Sequence, residues 1–242
     1  MACKEKTAII TGAAGNGMGR SVALTLAREG IAVVVNYLKN QEGAEAIAEH
    51  IKDNGGKAIA EQGNVFIKAD CERLVQTTLD YFGKVDICII GPGANWNPES
   101  LTNLNQDSAI QDVDQEISPI YNLLPLVLKD MEKRKWGRII GIASNMDIPS
   151  PSYSYNAAKS ARIEALKLAV NEAWKMGVTV NIIGPGPVGE IPSMEEACTY
   201  CRHEKKWLDR NKVTPQDIAE GVAFLCSDSA KYITGCMLPY LF

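Results

Sequence analysis

TAIITGAAGNGMGRSVALTLARE, Thr7 to Glu29, is the stretch that decides the fold. Thr7 to Thr11 is short, apolar and β-branched, which predicts a strand. Glycines follow at 12, 15, 17 and 19, and from Arg20 apolar residues recur at helical spacing up to Glu29. Glycines alone only make turns. Between a strand and a helix, however, they let the backbone approach a pyrophosphate, whose charge the unpaired N–H groups of the helix start accept.

Working outward, IAVVVN (31–36) predicts a second strand ending at Asn36. A carboxylate at that position would hold a ribose 2′-hydroxyl and repel a 2′-phosphate. Its absence, with Lys39 close by, favours NADP(H), with NAD(H) also open. Helices are expected over 42–54, 67–82, 108–133 and 215–226, and strands over 57–62, 85–90, 137–144, 178–183 and 236–242. The alternation predicts an α/β fold: a single-domain doubly wound parallel sheet (Rossmann fold) with helices on both faces, spanning 1–242. Residues 188–213 are polar and long enough for a substrate lid.

A second decisive run is SNMDIPSPSYSYNAAK, Ser144 to Lys159. Tyr155 and Lys159 lie one helical turn apart on one face. A free tyrosine titrates near about 10, and a cation close by favours the phenolate, so Lys159 is expected to lower the Tyr155 pKa. Ser144 could hold the reacting oxygen. Many helices carry such a pair by chance; here it follows a strand and a polar turn and opens a helix apolar on two sides. Ala158, Ala161, Ala165 and Leu168 line one side, and Ile163, Leu166, Val170 and Trp174 the other, so two covers are expected. Val113, Ile117, Ile120, Leu124 and Val127 repeat the pattern in the 108–133 helix, making both helices candidates for a subunit face, with the 238–242 tail as a third. Trp96, Met146, Pro187 and Met194 are candidate walls of a substrate pocket.

Hydrophobic residues make up 46% and charged ones 22%, which allows a sizeable core and argues against disorder. The net charge of −4 carries no long basic cluster, which excludes a nucleic-acid role. The absence of a long apolar run or signal-peptide core points to no membrane association and a cytoplasmic protein. Seven cysteines form no disulfide framework. Cys198, Cys201 and His203 read C-x-x-C-x-H, but with only His50 remaining as a further histidine, no metal is expected.

The glycine loop, the Ser144, Tyr155 and Lys159 set and Pro185-Gly186 occur in the order and spacing of the short-chain dehydrogenase/reductase family, and TPQDIAEGVAFLCSDSAKYITG resembles its 3-oxoacyl-carrier-protein reductases and sugar dehydrogenases. The resemblance spans nearly the whole chain. It implies that Tyr155 is the proton donor to a carbonyl, that Lys159 lowers its pKa and binds the nicotinamide ribose, and that Ser144 polarises the carbonyl. It places Gly12, Gly17 and Gly19 near the pyrophosphate, Asn64 near the adenine and Val188 near the carboxamide, and Asn16, Met18, Asn36, Val65, Gly91, Gly93, Pro185 and Gly186 are further candidate cofactor-binding residues.

Departures accompany it. Four residues separate Gly12 from Gly17, one more than the family pattern. Ile90-Gly91-Pro92-Gly93 stands for the usual N-N-A-G. Glu116 occupies the fourth catalytic position, where the family's asparagine uses its main-chain carbonyl to bind a relay water; the carbonyl that Pro119 frees, that of Gln115, is expected to substitute. The leading expectation is an NAD(P)(H)-dependent oxidoreductase interconverting a small-molecule carbonyl and a secondary alcohol, as a homotetramer or homodimer. The alternative is a catalytically silent subunit partnering an active paralogue.

Overall fold

The computed structural model describes residues 6–147, 149–203 and 212–240. Its elements are β1 (Thr7–Ile10), α1 (Met18–Arg28), β2 (Ala32–Tyr37), α2 (Gln41–Asp53), β3 (Ala58–Gln62), α3 (Lys68–Phe82), β4 (Ile87–Ile90), α4 (Gln106–Arg134), β5 (Gly137–Ile142), α5 (Tyr153–Lys175), β6 (Val178–Pro185), α6 (Met194–Cys201), α7 (Pro215–Cys226) and β7 (Met237–Tyr240).

The strands form one parallel sheet in the order β3-β2-β1-β4-β5-β6-β7. All of β1, β2, β4, β5 and β6 is buried, as a sheet covered on both faces requires. Alternate residues feed two cores. Ile10, Val33, Val35, Ile87, Ile89 and Ile140 pack with α1, α2, α6 and α7. Ile9, Val34, Cys88, Ile90, Ile139 and Val180 pack with α3, α4 and α5. The order reverses between β1 and β4, which opens a crevice at their carboxyl ends.

Helix boundaries follow from local chemistry. Asn105 caps α4, its Oδ1 accepting the Ser108 N–H at 3.0 Å, so the helix begins at Gln106, two residues before the expected start. Pro119 and Pro125 lie within α4. Pro215 opens α7, where Thr214 and Asp217 form a reciprocal capping box. The expected lid is anchored at its root. Gly189 N donates to Val213 O at 2.9 Å, and Ile191 and the thiols of α6 are buried. Its remaining positions, 204–211, lie outside the described residues, as does the end of the tail, 241–242. Among the described residues no helix is long and apolar enough to cross a membrane.

Candidate active site

The glycine loop lies at the reversal point. Gly12 has φ +65°, a left-handed conformation that favours glycine, and a Cβ there would meet Pro92 Cγ at 2.8 Å. At Gly19 a Cβ would sit 2.8 Å from the Gly12 carbonyl, so the helix start packs directly on the loop. Gly17 has nothing within 4 Å of its Cβ position and presents open backbone. Together with Met18, Thr11, Gly91 and Pro92, these glycines line a cavity of about 250 Å3. The extra residue of the loop is absorbed on the outside: Asn16 is exposed and its Oδ1 accepts from Arg20 at 3.1 Å. A cradle of bare backbone beside a helix start fits a dinucleotide pyrophosphate, which these residues would hold.

Asn36 does not fit its expected role. It is 1% exposed and turned inward. Its Oδ1 accepts the Gly12 N–H at 3.3 Å, and its Nδ2 donates to Glu61 O and Gly63 O at 3.2 and 3.1 Å. Asn36 therefore ties β2 to the glycine loop and β3, which leaves the exposed Leu38 and Lys39 as the side chains past the strand end. Asn64 is half-buried, its Oδ1 accepting Phe66 N–H at 3.1 Å, while Val65 is buried beneath it. Thr11, unnoticed in the sequence, donates to Ile89 O at 2.8 Å and accepts the Gly91 N–H at 2.9 Å, joining β1 to the turn after β4.

The ends of β5 and β6 carry the next residues. Asn145 N–H donates to Pro185 O at 2.9 Å and its Nδ2 to Tyr240 O at 3.2 Å, which fixes the segment holding Ser144. Gly186 N–H donates to Tyr240 O at 2.8 Å, and Val188 packs against the core. Across from them Tyr155 sits in the first turn of α5, with Ser144 close enough to its phenol to favour the phenolate. Tyr153, the rival phenol, is exposed.

Lys159 is buried, its Nζ 5.2 Å from the Tyr155 ring centre. Its charge, however, faces elsewhere: Nζ lies 2.7 Å from Glu116 Oε1. Glu116 is wholly buried in α4 and also accepts the Ala94 N–H at 2.8 Å. Its other oxygen pairs with Arg162 at 3.1 Å. Arg162, also wholly buried, donates further to Ile90 O, Pro92 O and the Glu116 carbonyl at 2.6, 2.9 and 3.3 Å. Gly93 makes room for this, because a Cβ there would collide with both Glu116 carboxylate oxygens.

Lys159 meets the Glu116 carboxylate directly, a contact that the expected relay through the carbonyl freed by Pro119 did not include. The Tyr155 pKa is raised rather than lowered: burial pushes it up, Glu116 adds to this, and the Ser144 hydrogen bond and the Arg162 charge oppose it. Burial likewise lowers Lys159, against the pull of Glu116. Arg162 was legible in principle, since Tyr155, Lys159 and Arg162 share one face at i, i+4 and i+7.

Of the expected pocket walls, Trp96 is 55% exposed, whereas Met146 and Met194 are half-buried against the cores. The C-x-x-C-x-H residues diverge. Cys198 turns to His50, Sγ to Nε2 3.1 Å, His203 faces Glu220 at 3.5 Å, and among the described residues no cluster of three metal-ligating side chains forms.

A glycine loop that opens a helix at the reversal point of a doubly wound parallel sheet, with Tyr155 and Lys159 in the first turns of α5, is the architecture of the Rossmann class. Sequence comparison narrows the class: the short chain dehydrogenase profile matches residues 6–197, and the chain belongs to the short-chain dehydrogenase/reductase family. It is 32% identical over 238 residues to a 3-oxoacyl-(acyl-carrier-protein) reductase of Staphylococcus epidermidis, covering 96% of this chain and 95% of that one. It is 33% identical to the corresponding reductase of Synechocystis sp. (97% and 94% covered), and 29% identical to glucose 1-dehydrogenase 2 of Bacillus subtilis (96% and 92%). A 7α-hydroxysteroid dehydrogenase solved with NADH and 7-oxo glycochenodeoxycholic acid superposes with a TM-score of 0.83 at 26% identity, covering 97% and 92% of the two chains. The protein is an NAD(P)-dependent oxidoreductase.

Proposed function

We propose that the protein interconverts a ketone and a secondary alcohol, with Tyr155 moving the proton. The bound nicotinamide supplies or accepts the hydride. Tyr155 donates its phenolic proton to the carbonyl oxygen in reduction and takes it back in oxidation, while Ser144 holds that oxygen. Lys159 has three donors, of which one meets Glu116, leaving others for the cofactor ribose. The observation that carries the reading is the buried Lys159 behind Tyr155, its Nζ 5.2 Å from the ring centre, with Ser144 beside the phenol.

NADP(H) is the preferred cofactor in this reading, supported by the absence of a carboxylate at the β2 end and by the exposed Lys39. An acyl thioester or ring ketone is the substrate class this reading favours, on the likeness to a 3-oxoacyl-(acyl-carrier-protein) reductase and a 7α-hydroxysteroid dehydrogenase. Residues 188–213 select the substrate. The uncovered sides of α4 and α5, where Tyr121 and Leu168 are exposed, support a homo-oligomer. The described cysteines are free thiols, which supports a reducing, cytoplasmic setting.

Fluorescence titration with NADPH and NADH, followed by turnover on β-ketoacyl thioesters and ketosteroids, tests the reading. Binding with NADPH preferred, and turnover of a ketone, are expected. Failure to bind either nucleotide would overturn it in favour of a silent subunit beside an active paralogue.

A further inference from the structure

We propose that Arg162 is a positioning residue of the active site, holding the Glu116 carboxylate against Lys159 and keeping the charge behind Tyr155 net positive. The proposal rests on the reading of Tyr155 as the proton carrier. By the family resemblance a neutral amide stands at the Glu116 position. An isolated carboxylate there would neutralise Lys159 and leave Tyr155 facing an uncharged pair. Arg162 adds a second cation to the same carboxylate, at 3.1 Å, so the cluster of two cations and one anion again carries one positive charge.

The geometry shows more than charge balance. Arg162 also donates to the Glu116 main-chain carbonyl, the group that in the family pattern would hold a water, and so occupies that place itself. Its Nη1 also donates to Pro92 O and its Nη2 to Ile90 O, at the end of β4 and the turn beside the glycine loop, while Nε is buried without a partner; these bonds hold the guanidinium, and with it the carboxylate, in place. A guanidinium suits this task, because its planar fork reaches several acceptors in fixed directions and stays charged when buried. A purely structural arginine, one that only pins the β4 turn, would leave the proton affinity of Tyr155 untouched.

The charged groups facing Tyr155 are Glu116 from α4 and Lys159 and Arg162 from its own helix; Ser144 approaches from the segment after β5. The test reads the Tyr155 phenolate directly, as the absorbance difference between a full-length protein and its Tyr155→Phe counterpart, in stopped-flow pH jumps fast enough to precede alkaline unfolding. Arg162→Met is expected to raise the titration midpoint by about one pH unit, Glu116→Gln to lower it by about as much, and Arg162→Lys to stay near wild type. Should Arg162→Met fail to fold, the comparison of Glu116→Gln with Glu116→Gln/Arg162→Met makes the same measurement without an unpaired buried carboxylate. There the double variant is expected to titrate higher than the single one. An unchanged or lower midpoint on removing Arg162 overturns the proposal. The titration needs no turnover, so this result is separate from a failure of the oxidoreductase reading, which would appear as a wild-type protein inert toward every ketone.

Discussion

Gly93 shows how closely the site is fitted around its unusual carboxylate. A Cβ at this position would strike both oxygens of Glu116, which Lys159, Arg162 and Ala94 N–H already hold from other sides. Gly93→Ala is expected to destabilise the fold by about 1–3 kcal/mol and to reduce turnover, measured by denaturant unfolding and steady-state rates on one preparation. Gly17→Ala, whose Cβ meets nothing within 4 Å, is expected to leave unfolding unchanged and to weaken NADPH binding only. Tyr155, Lys159 and Ser144 were readable because their relation is local: one helical turn, and one strand end. The Arg162 partnership was not, since it joins α4 and α5 through a carboxylate 46 positions away, and sequence spacing carries no information across that distance. Asn36 was read as the last residue of β2, which runs one residue further to Tyr37, and the direction of its side chain is set by the Gly12 N–H and the carbonyls of Glu61 and Gly63, which sequence does not show.

Helices α4 and α5 pack on each other and on the sheet, with Ile120, Leu124, Val127, Ile163 and Leu166 turned inward. Their outer faces hold Ile110, Tyr121 and Leu168, the last 74% exposed. The doubly wound order of elements was legible from period, because buried parallel strands and amphipathic helices write different repeats; in α4, however, Ile120, Leu124 and Val127, expected at a subunit face, line the core instead. The α6 helix was missed: at eight residues it is too short for a strong period. If the outer faces of α4 and α5 meet a second copy, Leu168→Glu is expected to reduce the oligomer in sedimentation velocity while the isolated chain keeps its helical circular dichroism. An unchanged sedimentation coefficient would place the contact elsewhere.

For the molecule as a whole, buried thiols set an alkaline limit. Burial pushes Cys88 and Cys226 from an ordinary 9.0 up to about 12. Above pH 9 the unfolded chain loses these protons and the folded chain keeps them, so the unfolded state binds fewer protons and stability falls as pH rises. The loss is expected between pH 9 and about 12, read as a declining urea midpoint, and Cys88→Ala/Cys226→Ala should flatten the slope. Both thiols sit beside the sheet that carries the nucleotide cradle, so NADPH binding is expected to fail over the same range.

The account depends most on the Tyr155 hydroxyl as the group that moves the proton, and one measurement reaches it directly: the rate of NADPH-dependent ketone reduction by Tyr155→Phe, with NADPH affinity measured on the same sample. The account predicts a fall in kcat of about 10²- to 10⁴-fold with nucleotide binding retained. A Tyr155→Phe protein reducing its substrate at the wild-type rate would contradict it.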